Sequence, residues 1–197
     1  MPRRLLALAV AALALFASAG CADDVSPAAR IGDVTITNDE LLDEVAAWVA
    51  NPQAIDPATL DESAPGTYPL ELVRQLLQQR LDFELHHIEF DALGLELDDN
   101  LREQALTTLF GDPSAADAAF EAFTDEFAAA FVDDVARQIA VQGELGDEGY
   151  TTWRTDAYRT TDIEVSPRYG TWDGTTGQIV PPTGPTQPAT TFAPVGQ

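Results

Sequence analysis

Hydrophobic positions in this chain alternate at period two near each end of a long stretch, and between those ends they recur at steps of three and four. From Ile31 to Thr37, Val34 and Ile36 alternate with Asp33 and Thr35, which predicts a half-buried strand. Thr37-Asn-Asp-Glu40 follows, a capping box in which hydroxyl and carboxylate satisfy orphan amides reciprocally. A helix is expected next, with Leu41, Val45, Trp48 and Val49 on one face, stopping at Asn51-Pro52. The prolines at 52, 57 and 65 then predict a long irregular connection to Tyr68.

Pro69 suits the first position of a helix that runs to Leu93 and ends at Gly94, with Leu70, Val73, Leu77, Leu81, Leu85 and Ile88 as its apolar stripe. Asp98 is placed to cap a further helix whose Leu101, Ala105 and Leu109 face inward before Gly111. Pro113 opens a helical region carried to about Leu145 with a break near Thr124, and a last helix spans about Asp147 to Tyr158. Phe120, Phe123, Phe127 and Phe131 form one stripe there, which reads as core. Ile163 and Val165 alternate with Asp162 and Glu164 in a second short strand.

Neither strand survives alone, because isolated strands leave their backbone groups unpaired. Pairing them brings the chain ends together. The expected fold is therefore mainly α: an orthogonal, irregular helical bundle closed by a small two-stranded sheet from the N- and C-terminal ends of the domain.

Composition sets the boundaries of that domain. Residues 1–20 read as an export signal: Arg3 and Arg4, an apolar run from Leu5 to Phe16, then Ala17, Ser18, Ala19 and Gly20. Small residues directly before Cys21, the chain's one cysteine, resemble the lipobox of bacterial lipoproteins. That resemblance implies acylation of Cys21 and anchorage on the extracytoplasmic side of the cell membrane. Ala17-Ser18-Ala19 also fits an ordinary cleavage site, which would release a soluble chain after Ala19. Residues 21–29 read as a lipid-proximal tether, 30–173 as the globular domain, and 174–197, rich in Gly, Thr, Pro and Gln, as a disordered tail.

Charge narrows the partners. The chain carries 33 acidic residues against 10 basic ones, all of them arginine, for a formal net charge of −23. Removing residues 1–20 takes two arginines and no acid. Such a surface repels nucleic-acid backbones and anionic headgroups, so nucleic acid is excluded as a partner and the lipid must hold the protein at the membrane.

No catalytic constellation and no metal or cofactor motif stands out. His86 and His87 are adjacent on a helix, point about 100° apart and read as surface decoration. There is no G-x-S-x-G, no Gly-rich phosphate loop and no calcium-loop spacing among the acid pairs.

The order of elements is similar to the amino-terminal chaperone domain of the SurA and PrsA family of extracytoplasmic folding factors. The likeness rests on Arg30-Ile-Gly-Asp-Val-Thr-Ile-Thr37-Asn-Asp-Glu-Leu41, on Leu72-Val-Arg-Gln-Leu-Leu77 leading to Ala92-Leu-Gly-Leu-Glu-Leu-Asp98, and on Asp162-Ile-Glu-Val-Ser-Pro-Arg-Tyr-Gly-Thr-Trp-Asp173. That ending looks like the Val-x-Val-Asn-Pro-Arg-Tyr-Gly-x-Trp-Asp of lipid-anchored actinobacterial members, with Ser166 in place of asparagine.

Gln142 to Tyr150 leaves no room for the parvulin domain that isomerase members insert. The resemblance thus implies a non-enzymatic, ATP-independent module that binds unfolded or partly folded exported polypeptides. Trp48, Trp153, Tyr169 and Trp172 are the candidate client-binding side chains. An interaction subunit docking on one membrane or cell-wall partner is the alternative.

Overall fold

The computed structural model describes residues 27–51, 68–121 and 123–182. The expected export signal, Cys21, the connection expected over 52–67 and residues 183–197 lie outside them. The described chain is mainly helical with small antiparallel sheets.

The first strand is a hairpin. β1 (Pro27–Ile31) and β2 (Val34–Thr37) turn about Gly32 and Asp33, with Ile31 opposite Val34 and Ala29 opposite Ile36. β3 (Ile163–Val165) adds on the other side of β1, with Ala29 opposite Val165 and Ile31 opposite Ile163. The sheet is therefore three-stranded, in the order β2-β1-β3, rather than the two-stranded closure expected. Ala28 and Ala29, assigned from composition to a tether, are buried in the core. Two alanines give no period-two signal; their small side chains let β1 pack closely against the helices.

Helix α1 (Asn38–Ala50) starts on the capping box: the Thr37 hydroxyl accepts from the Glu40 N–H at 3.1 Å, and the Thr37 N–H donates to the Glu40 carboxylate at 2.9 Å. Asn51 ends it, and its side-chain amide donates to the Ala119 carbonyl at 2.6 Å. Helix α2 (Leu70–Ala92) takes Pro69 as its N-cap residue and turns off at Gly94. It is the central pillar. Val73, Leu77, Leu81 and Leu85 face one apolar cluster and Phe83 another, so burial extends beyond a single stripe. Ile88, expected to continue the stripe, lies past that cluster and is 43% exposed.

Helix α3 (Asp99–Phe110) is capped by Asp98, whose carboxylate accepts from the Leu101 N–H at 2.8 Å. A 3-10 turn (Pro113–Ala115) and the short α4 (Ala116–Ala119) lead to α5 (Asp125–Thr160), capped by Thr124. Gly146, at φ 66° and ψ 168°, interrupts α5 and separates the two helical stretches that the sequence predicts on either side of it.

The chain stays ordered past Asp173, which corrects the tail boundary at Gly174. β4 (Thr171–Asp173) and β5 (Gln178–Val180) form a second hairpin. Gln78 of α2 holds it at both ends of its amide, donating to the Gly177 carbonyl at 2.9 Å and accepting from the Ile179 N–H at 2.8 Å. The first core joins the three-stranded sheet, α1, α2, Tyr169 and Ile179; the second joins Phe83, Ala105 of α3 and Val132, Val135 and Ala136 of α5.

Candidate functional site

The four candidate binding side chains do not form one surface. Tyr169 is fully buried, its hydroxyl donates to the Asn38 side chain at 2.6 Å, and its carbonyl accepts from the buried Arg74 at 2.8 Å. It locks the closing segment onto α1 and α2 and is removed from the binding set. Trp172 packs edge-on against Tyr158 and donates to the Tyr158 carbonyl at 3.2 Å. Trp153 lies against His86 at 5.1 Å between ring centres. Trp48 belongs to the Phe stripe: Phe123, Phe127 and Phe131 surround it edge-on at 5.2 to 6.3 Å. Half-buried packing is what these three tryptophans do first.

His86 is fully buried, which corrects its assignment to the surface. Its Nδ1 meets the Asp82 carbonyl at 2.6 Å and its Nε2 the Tyr150 hydroxyl at 2.8 Å. Burial is the main cause that lowers its pKa, so the ring is neutral at neutral pH. His87 takes the opposite course. Its Nε2 bonds Asp134 at 2.6 Å, its Nδ1 lies 3.6 Å from Glu84, and these two carboxylates raise it to about 9. A pair of adjacent histidines is thus split by environment, one neutral and one charged.

Among the described residues, two recesses border α2. The first is a cleft of about 720 Å³ between α2, the second half of α5 and the β4–β5 turn. At its base Asp82 accepts from the Tyr158 hydroxyl at 2.7 Å and from Arg154 at 3.2 Å. Burial, with Asp82 close by, pushes the Tyr158 phenol up, so it stays protonated at neutral pH. These groups satisfy one another's hydrogen bonds at the base of the cleft.

The second is a groove of about 660 Å³ between β2, α1 and the start of α5. Ile36, Leu41, Ala47 and Phe127 line its apolar part; Glu40, Asp43, Glu44, Glu84 and Arg80 are its charged groups. Arg80 is paired with Glu84 at 3.2 Å, and Glu40 is engaged by Thr37. Burial raises the Glu44 carboxyl, against the pull of Arg80. β2 is the outer strand of its sheet, so one side of the groove is a strand edge.

Thr35 and Glu44, which were not among the candidate residues, also line this groove. Their signals, a period-two strand at the chain's start and an acid one turn before Trp48, were present but carry no meaning until β2 is known to be outermost. Among the described residues no cluster of three or more His, Cys, Asp or Glu is placed to hold a metal ion. No described helix is long and apolar enough to cross a membrane. No known protein family, curated protein or solved structure matches the chain.

Proposed function

We propose that this protein is a lipid-anchored, ATP-independent chaperone-like module on the extracytoplasmic side of the membrane, which binds unfolded or partly folded exported polypeptides and catalyses nothing. In this reading it follows the SurA and PrsA amino-terminal plan, an irregular helical bundle closed by strands from both chain ends, without the parvulin insert. The observation that carries it is the groove beside β2, where half-buried Ala47 and Phe127 and the exposed Val34 stand over the buried Leu41. An apolar recess with a polar rim suits weak, sequence-tolerant contact with an apolar segment. The export signal and the lipobox-like Cys21 supply the location.

Light scattering of an aggregating client tests it. Suppression at stoichiometric amounts of the full chain, without nucleotide, is the expected result; no suppression by a protein whose circular dichroism is intact overturns it. Capture of one dominant stoichiometric partner from membranes, in place of varied secreted chains, would instead establish the interaction-subunit reading.

A further inference from the structure

The edge of β2 has a feature that apolar contact alone does not use. In the β1–β2 hairpin, Ile31 pairs with Val34 and Ala29 with Ile36, while the alternate residues of β1 turn toward β3: the Gly32 N–H donates to the Asp162 carbonyl at 3.0 Å, and the Ala28 carbonyl accepts from the Ser166 N–H at 2.9 Å. By the same alternation the N–H and C=O of Thr35 point away from β1, along the open side. No described residue pairs with them. Below that edge lie half-buried Ala47 and Phe127, over the buried Leu41; on the same side stand Asp43, which is exposed, and Glu44, which is half-buried and has no ion pair among the described residues.

We infer that β2 takes up one short extended polypeptide segment as an added antiparallel or parallel strand, and that the preferred segment carries apolar and basic residues two positions apart, on the one face that looks onto α1. Backbone bonds to Thr35 hold the segment; every second side chain looks onto α1, so an apolar one enters the groove and a basic one two positions on meets Asp43 and Glu44. This is strand addition at a sheet edge, in which the main chain supplies affinity and alternate side chains supply selectivity. The charge requirement follows from the protein itself: a body of net charge −23 repels acidic segments and draws basic ones. A basic side chain beside Glu44 also relieves the cost of its burial.

The inference rests on the polypeptide-binding reading above and names the site and the chemistry of the bound segment. The probe is a short fluorescent peptide with valine and lysine two positions apart, Val-Thr-Lys-Thr-Val, against the same peptide with glutamate in place of lysine, titrated into the full chain. Expected is binding of the basic peptide only, weakening with salt, with the amide resonance of Thr35 shifting and becoming protected from exchange. Thr35→Pro removes the edge donor at a position where proline is tolerated because its nitrogen faces outward. It should weaken binding about tenfold or more.

Should Thr35→Pro fold poorly, the double variant Asp43→Lys, Glu44→Gln leaves the backbone intact and should lower affinity for the basic peptide to a similar extent. Equal binding of both peptides, or unchanged affinity in both variants, overturns the inference. So does a Thr35 amide already protected in the peptide-free protein, the mark of another segment of the same chain on the edge. If either variant still suppresses client aggregation fully, the strand-addition site fails while the chaperone reading stands. If the unmodified chain suppresses nothing, the reading itself has failed.

Discussion

Protonated His87 between Asp134 and Glu84 ties α2 to α5, with Arg137 also donating to Asp134 at 3.2 Å. Its folded pKa of about 9 stands above the unfolded value of 6.5, so the unfolded chain loses this proton first as pH rises. The stabilisation is therefore complete below pH 6.5 and is lost progressively as pH climbs through about 9. It is worth no more than about 3 kcal/mol, reduced by the solvent that reaches a ring 29% exposed. Urea titrations at intervals between pH 6 and about 9.5 should show this decline, and His87→Gln should flatten it; an unchanged slope in that variant would remove His87 as its origin. Tyr169 makes a second prediction at this scale. Tyr169→Phe loses the bond to Asn38 and should cost about 1–2 kcal/mol in the same titration, while leaving client binding unaltered because the ring is fully buried. A change in client affinity without a change in stability would return Tyr169 to the binding surface.

Helix boundaries follow from local chemistry, and the strands do not. The capping box at Thr37, the cap at Asp98 and the turns at Gly94 and Gly111 act within a few residues and were read from the sequence; near Thr124 and between Leu145 and Asp147 only the breaks were read, without the cap and the glycine that make them. The β4–β5 hairpin was hidden because its docking depends on Gln78, about a hundred positions earlier, and only Ile179 of β5 is buried. β1 was hidden because Ala28 and Ala29 match a tether in composition. Burial of His86 was hidden because the element that covers it, the stretch of α5 carrying Tyr150 and Trp153, is non-local. The groove was legible only in part: its apolar members could be read from helix periodicity, but the open edge beside them depends on strand order. Gly146 carries the prediction that belongs to this scale. Its φ and ψ fall in a region that essentially only glycine occupies. Gly146→Ala should cost about 1–3 kcal/mol, read as a lower urea midpoint with loss of near-ultraviolet ellipticity from Trp153. A neutral substitution would mean that α5 can bend elsewhere.

Over the whole molecule two electrostatic scales oppose each other. Among the described residues most ion pairs have one largely buried partner, such as Glu84 or Asp134, while the most exposed, between Arg102 and Asp99 at 3.3 Å, contributes little. Self-repulsion among acids, in a chain of net charge −23, acts over the whole body and is screened by salt. Raising ionic strength should therefore stabilise the fold by about 1 kcal/mol, seen by calorimetry as a rise in Tm of about 3 °C. Binding of a basic segment at the β2 edge should respond in the other direction, since salt screens the attraction of Asp43 and Glu44 for that segment. The two measurements together are diagnostic. Salt that raises Tm while weakening peptide binding places the acidic charge where it costs the fold and serves recognition. Salt that lowers Tm would mean that local clusters such as His87, Asp134 and Arg137 outweigh the global repulsion, and the acidic surface would then need no binding partner to account for it.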